Sequence, residues 1–237
     1  MGLIDYQGVH EGETIFVFGS GATLNYLAPS FFDDKICVAT NFAGSVFGLG
    51  RYYVFSHYHA DAVSEARLDE TVAVFTPQRE HGTDAEFLGF MPKIITFPTT
   101  TGRPGGTFDP AGKDWPTLDN SLVIGSSGIH GAMHLAAYLG AKFIVLVGAD
   151  CGTLGGAERV DGYVQGEHPW ELYELHLRDM KQRLFEMYGC QVYSLNPFIN
   201  YSLEGTAYRG AASILRLDLP LDNRQPISVD RCAADNT

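Results

Sequence analysis

Short runs of apolar and β-branched residues alternate along the chain with longer segments of helical period. The short runs predict seven strands: Thr14–Phe18, Lys35–Thr40, Arg51–Ser56, Thr71–Thr76, Lys93–Phe97, Lys142–Val147 and Gln191–Leu195. The helical patterns cover Leu24–Phe31, Asp61–Leu68, Gly128–Leu139 and Pro169–Tyr188. This alternation predicts an α/β fold with a mainly parallel sheet and helices on both faces.

The spacing of these elements predicts one domain over residues 1–219 and a polar tail over residues 220–237. Two long loops interrupt the domain. Residues 99–120 hold four glycines and three prolines, and residues 151–167 hold five glycines. Long loops in compact domains often act as lids or binding loops.

The composition narrows the function classes. Sixteen Lys and Arg residues against 28 Asp and Glu residues give a formal net charge of −12, which argues against a protein that coats nucleic acid. A nucleotide ligand stays open, since backbone N–H groups and helix dipoles can hold a phosphate in an acidic protein. The sequence has no apolar run long enough to span a membrane and no signal-peptide pattern, which predicts a cytoplasmic protein. The four cysteines lie far apart, and Cys37 and Cys190 are expected to be core thiols.

Parallel sheets bind ligands at the carboxyl ends of their strands. The first strand runs into Gly19-Ser20-Gly21, which could be a ligand loop or a structural turn. A nicotinamide-binding fingerprint would need a third glycine where Leu24 stands and an acidic residue at the end of strand two, where Thr40 and Asn41 stand. The turn therefore favours a ligand other than a nicotinamide dinucleotide.

Three further strand and helix ends are candidate sites. Ser126, Ser127 and Gly128 open a helix and either form an anion site or an ordinary cap. Asp150 ends the most apolar strand, where it could accept ribose hydroxyls, bind a metal or cap the next segment. His168 begins the last helix, whose dipole favours the neutral imidazole that a general base needs.

Histidines occur in two other patterns. His130 and His134 share a helix face and are expected to be a hydrogen-bonded, partly buried pair. His57, His59 and Asp61 resemble the start of the H-x-H-x-D-H metal motif of the metallo-β-lactamase superfamily. That motif leaves a metallohydrolase open as an alternative, although Ala62 stands where its last histidine would be.

The order of these motifs resembles glycosyltransferase family 42, the bacterial sialyltransferases, and the related DUF115 proteins. The family places G-x-G-x-[ST]-L after strand one, as in Gly19–Leu24, and an Asn-aromatic pair after strand two, as in Asn41-Phe42. A [ST]-S-G turn, helix, apolar strand and G-x-D follow, as in SSGIHGAMHLAAYLGAKFIVLVGAD, and then MYGCQVYSLNPF. The resemblance spans about Thr14 to Asn200.

The resemblance implies a Rossmann-like (GT-A-variant) domain and a nucleotide-sugar-dependent glycosyltransferase that uses a CMP-sugar. In this family the glycine turn cradles the donor, which implies a binding role for Gly19, Ser20 and Gly21. By the same match, Asn41 contacts the cytosine or ribose. The implied phosphate or sugar-carboxylate ligands are Ser127 and Gly128, and the implied catalytic residues are His168 as general base and Tyr163 at the leaving phosphate.

We expect no required cofactor and no metal, and a glycan or small molecule as the acceptor. The acidic charge argues against a nucleic acid partner. The sequence does not exclude a homo-oligomer. Within DUF115, the archaeal 6-hydroxymethylpterin diphosphokinases supply a second hypothesis, in which Asp150 helps to hold Mg²⁺ on ATP phosphates. A binding protein without catalytic activity is the remaining alternative.

Overall fold

The structure, a computed structural model, describes residues 2–57, 59–77, 93–98, 121–123, 127–150, 157–164 and 170–195. Seven strands in this part of the chain form one sheet: β1 (Thr14–Phe18), β2 (Ile36–Thr40), β3 (Tyr52–Phe55), β4 (Thr71–Pro77), β5 (Ile94–Phe97), β6 (Phe143–Val147) and β7 (Gln191–Ser194). Each pair of neighbouring strands is parallel. The predicted α/β class is therefore confirmed, and each predicted strand is found with ends within one residue of the prediction.

Four α-helices are described: α1 (Ala43–Phe47), α2 (His59–Ala66), α3 (Gly128–Tyr138) and α4 (Trp170–Tyr188). The helix predicted over Leu24–Phe31 is instead two 3₁₀ helices, Ala22–Tyr26 and Pro29–Phe32. Pro29 explains this difference, because its ring and missing N–H interrupt a continuous α-helix but suit the first position of a new one. A further 3₁₀ helix, Leu3–Tyr6, precedes β1.

The strand order places a switch point inside the sheet, between β1 and β6. The order is β5-β4-β3-β2-β1-β6-β7, so the chain builds outward from β1 in one direction and then returns to place β6 and β7 on its other side. The chain leaves β1 toward one face of the sheet and leaves β6 toward the other face, which opens a crevice between the carboxyl ends of these two strands. Ligands of open α/β sheets bind in this position.

Two hydrophobic cores cover the two faces of the sheet. Alternate residues of β1 point to opposite faces: Ile15 and Val17 belong to the core under α3 and α4, whereas Phe16 and Phe18 belong to the core under α1 and α2. Helices thus cover both faces, which explains why the strands are continuous apolar runs.

Cys37 and Cys190 are buried free thiols, and burial raises the pKa of each thiol to about 12. They are the core residues that the sequence predicts. Within the described ranges, no helix combines the length and apolar character needed to cross a bilayer. The boundary at residue 219, the tail 220–237 and the loop 99–120 lie outside the described residues, as does the loop 151–167 apart from residues 157–164.

Candidate functional site

The glycine turn after β1 lies directly against the end of β6. The N–H of Gly19 donates to Val147 O at 2.9 Å, and the N–H of Gly21 donates to Gly148 O at 2.7 Å. A Cβ at Gly19 would lie 2.5 Å from the Gly148 oxygen, and one at Gly21 would lie 2.4 Å from Oδ2 of Asp150. The two glycines are therefore required by the contact between two chain segments, so the turn has a structural role whatever ligand it meets.

Asp150 holds the far end of this turn. Its Oδ2 accepts a 2.8 Å bond from the N–H of Thr23, and its Oδ1 accepts a 2.7 Å bond from the Thr23 hydroxyl. The carboxyl group is buried, and burial raises its pKa to about 6, although the two bonds from Thr23 act to lower it. Asp150 thus fixes the 3₁₀ helix Ala22–Tyr26, which lies 127 positions earlier in the chain and is not the next segment that the sequence offered for capping.

Asn41 turns the chain at the end of β2. Its φ of 45° lies in the left-handed region, which asparagine tolerates better than most residues. Its Oδ1 accepts bonds from the Ser56 hydroxyl at 3.3 Å and from the N–H of His57 at 3.4 Å. The Asn41 side chain is therefore buried and fixed at the carboxyl end of β3, one strand away from its own.

The start of α3 lies beside Asn41. A Cβ at Gly128 would lie 3.8 Å from Nδ2 of Asn41 and 3.4 Å from the Cβ of Thr40. The N–H of Ser127 donates to Nδ1 of His130 at 3.2 Å, which orients the first turn of the helix. The partly positive amino end of α3 is thus directed at the carboxyl ends of the strands. Ser126, the third predicted residue of this turn, lies outside the described residues.

Tyr163 reaches the same place from a short segment, residues 157–164, that crosses the glycine turn. The segment is tied there by an antiparallel bridge between Gly21 and Arg159 and by a 2.9 Å bond from the N–H of Val160 to Ser20 O. The Ser20 and Asn41 side chains lie close enough to the Tyr163 hydroxyl to act on its pKa. Burial raises the pKa of this hydroxyl, so it stays protonated and can donate at neutral pH.

Sequence reasoning missed Arg159. Its Nη1 donates to the Ser20 hydroxyl oxygen at 3.0 Å, and its guanidinium carbon lies 5.5 Å from the centroid of the Tyr163 ring. Arg159 is the single Lys or Arg in the loop 151–167. That isolation was the available signal, because a loop expected to meet a phosphate has few other sources of positive charge.

Of the three residues of the possible metal motif, the structure describes the side chains of His57 and Asp61. His57 follows β3, and its Nε2 is buried with no hydrogen-bond partner, while burial lowers its pKa to about 4. Asp61 lies in α2, and the His59 side chain is outside the described residues. Among the described residues, no group of three or more His, Cys, Asp or Glu side chains could hold a metal ion.

His130 and His134 are fully buried and have separate partners, which corrects the expected partly buried pair. Nδ1 of His134 accepts the N–H of Val123 at 2.9 Å, and its Nε2 contacts the Tyr188 hydroxyl at 2.8 Å. Together with the bond from Ser127 to His130, these contacts hold the described residues on either side of segment 124–126. The histidines of α3 therefore position the helix start that borders the site.

The structure thus gathers Gly19, Ser20, Gly21, Asn41, Ser127, Gly128, Asp150 and Tyr163 at the carboxyl ends of β1, β2 and β6, with Arg159 added. His168, the predicted general base, lies outside the described residues.

The fold of this chain is similar to that of a known enzyme, although its sequence matches no family model. No protein-family model matches the chain, and no curated protein matches it. A solved structure that is similar in fold is the sialyltransferase CstII from Campylobacter jejuni in complex with a substrate analogue, cytidine-5'-monophosphate. The identity is 14%, the match covers 85% of this chain and 86% of that one, and the TM-score is 0.46. A likeness at this level concerns the course of the chain and not its chemistry.

Proposed function

We propose that this protein is a nucleotide-sugar-dependent glycosyltransferase, most like an enzyme that uses CMP-sialic acid. The observation that supports this best is that the segment carrying Tyr163 is bonded to Ser20 at the switch point of the sheet, where the Asn41 side chain also lies near the Tyr163 hydroxyl. These side chains come from three separate segments of the chain, and each offers a polar group of the kind that orients a ribose or a phosphate. The motif order supports the choice of a CMP-sugar.

Each residue has a role in this proposal. The glycine turn and the amino end of α3 face the phosphate, with backbone N–H groups and the helix dipole as the attractive elements. Asn41, fixed by Ser56 and His57, contacts the ribose or the cytosine. Tyr163 donates its hydroxyl proton to the departing phosphate as a hydrogen bond. His168 accepts the proton of the acceptor hydroxyl.

Thermal unfolding with a panel of nucleotides tests this proposal. The panel is CMP, CDP, UMP, UDP, GDP, AMP and ATP, each with and without Mg²⁺. A ligand at ~100 times its dissociation constant stabilises the fold by ~2.7 kcal/mol, which raises Tm by a few degrees for a chain of this length. We expect a shift with CMP that Mg²⁺ does not change.

Other outcomes of the same panel would redirect the proposal. A shift with ATP only in the presence of Mg²⁺ favours the pterin diphosphokinase hypothesis, in which Asp150 would have to exchange its bonds with Thr23 for a metal contact. A CMP shift without release of CMP from CMP-sialic acid favours a binding protein without turnover. No shift with any nucleotide rejects the nucleotide site itself.

A further inference from the structure

Positive charge is distributed unevenly over the two edges of the sheet. Of the basic side chains in the described part of the chain, most lie at or near the amino ends of strands. Lys35, Arg51, Lys93 and Lys142 immediately precede β2, β3, β5 and β6. Arg67 lies between α2 and β4, and Lys181 and Arg183 lie in the half of α4 that leads to β7.

Arg159 is the exception among these described side chains. The bridge to Gly21 and the bond to Ser20 place it at the carboxyl edge, over the glycine turn that follows β1. The chain as a whole carries a formal charge of −12, and the negative charge of Asp61 adds to the rise that burial causes in the pKa of Tyr163. A local cation at this edge would add to the attraction that the backbone N–H groups and the helix dipole exert on a dianionic ligand, and among the described residues Arg159 lies there.

Two contacts place the Arg159 guanidinium over the glycine turn. The Ser20 hydroxyl oxygen accepts one of its N–H groups, and its central carbon lies over the Tyr163 ring, 5.5 Å from the ring centroid, which is cation–π distance. A guanidinium has five N–H donors in a rigid fork, so it can bond to Ser20 and to a phosphate oxygen together. The half-buried position strengthens such a bond relative to one at an open surface.

We propose that Arg159 binds the phosphate of the nucleotide and that the site therefore selects nucleoside monophosphates and their sugar esters over nucleosides. This inference rests on the proposed function. In the transfer, the acceptor oxygen bonds to the anomeric carbon as the bond from that carbon to the phosphate oxygen breaks. The electron pair of the broken bond goes to the phosphate, and the acceptor proton goes to the general base. The guanidinium stabilises the charge that the phosphate gains.

Isothermal titration with CMP and with cytidine tests this role. Arg159→Gln removes the charge but keeps an amide that can bond to Ser20, and Arg159→Lys keeps the charge without the fork. We expect Arg159→Gln to weaken CMP binding ~10-fold or more and to leave cytidine binding unchanged, because only CMP carries the charged partner. Arg159→Lys should lose less of the affinity for CMP than Arg159→Gln does. Arg51→Gln, the same charge change at the opposite edge, should alter neither affinity.

The outcomes separate the two proposals. If the unaltered protein binds CMP and Arg159→Gln binds it equally well, the phosphate role is overturned and the nucleotide site stands. Equal weakening of CMP and cytidine would show that Arg159 only shapes the turn, which also overturns the role. If the unaltered protein binds no nucleotide, the proposed function fails and this inference fails with it. Circular dichroism and the Tm of each variant establish that it is folded before titration.

Discussion

The Tyr163 hydroxyl lies near the Ser20 and Asn41 side chains, and in the proposed function it donates a hydrogen bond to the leaving phosphate. Tyr163→Phe keeps the ring and its contact with Arg159 but removes the donor. We expect release of CMP from CMP-sialic acid to slow by ~10²-fold, in keeping with the loss of one transition-state donor. CMP binding should change much less, because the ring and Arg159 remain.

Tyr193→Phe is the matched control for this prediction. Its hydroxyl contacts Gln191 at an exposed position on β7, away from the carboxyl edge of β1. The Tyr193→Phe variant should release CMP from CMP-sialic acid at the same rate as the unaltered protein. Turnover of Tyr163→Phe within twofold of that value would remove Tyr163 from the chemistry.

Thr23 supplies both hydrogen bonds that Asp150 receives from the 3₁₀ helix after the glycine turn. Thr23→Val conserves shape but deletes the hydroxyl bond to a buried carboxyl group. We expect the free energy of unfolding to fall by about 1–3 kcal/mol, measured by urea denaturation, because the oxygen left without this bond stays desolvated.

Thr76→Val makes the same chemical change at a different buried hydroxyl. Within the described structure, Oγ1 of Thr76 has no hydrogen-bond partner, so its loss should be neutral or stabilising. If the free energy of unfolding fell by the same amount in Thr23→Val and Thr76→Val, the bond between Thr23 and Asp150 would add nothing to stability.

At the scale of elements, α3 is the helix that joins the hydrophobic core to the site. Gly131 allows it to approach the sheet, because a Cβ at this position would lie 2.0 Å from Cζ of Phe55 in β3. Helix propensity alone predicts that Gly131→Ala gains about 1 kcal/mol. The overlap with a buried ring should outweigh that gain, and we expect a net loss of about 1–3 kcal/mol in urea denaturation.

Gly128→Ala tests the same substitution at the start of α3. Its nearest neighbour would be the Cβ of Thr40 at 3.4 Å, close to an ordinary contact. Stability should therefore change by no more than about 0.5 kcal/mol. A stable Gly131→Ala variant would show that α3 can move away from the sheet at little cost.

At the scale of the whole molecule, the pH dependence of the free energy of unfolding is a sum of contributions from single titrating groups. Two of these contributions have opposite signs. Burial lowers the pKa of His134 to about 3, so the folded protein takes up its proton less readily than the unfolded chain. The stability that neutral His134 contributes is complete above its unfolded pKa of ~6.5 and is lost as the pH falls toward 3. Asp150 contributes with the opposite sign. Its pKa is raised to about 6 in the folded protein, which therefore binds this proton more readily than the unfolded chain does, and the free energy of unfolding rises as the pH falls through 6.

Two variants separate these contributions between pH 7 and pH 4.5. The stability deficit of His134→Gln relative to the unaltered protein should shrink as the pH falls, by at most ~1.4 kcal/mol per pH unit. The deficit of Asp150→Asn should grow over the same range. Urea denaturation at each pH measures both, and parallel curves for the three proteins would contradict the two pKa shifts.

The sequence alone determined the strands and the fold class. A parallel strand covered by helices on both faces has to be a continuous apolar run, so β1 and β6 were visible without any knowledge of their neighbours. The two long helices were visible for a similar reason, since their periodicity extends over several turns. Helix α1 was missed because five residues are too few to show a period.

The sequence also identified most of the residues that meet at the switch point, because a parallel sheet brings the carboxyl ends of its strands to one edge. Gly19, Ser20, Gly21, Asn41 and Asp150 could be named from this rule. What each of them contacts could not be named. The glycines proved to be required by the Gly148 backbone and by Asp150, which no local pattern indicates.

Tertiary structure alone decided the partners that define the site. Arg159 bonds to Ser20 across 139 positions of sequence, and Thr23 bonds to Asp150 across 127. Both contacts exist because β6 inserts next to β1 rather than beyond β5. Strand order is set by how the helical connections pack on the two faces, which is a property of the assembled sheet. The local pattern of residues specifies each strand and leaves its neighbours open.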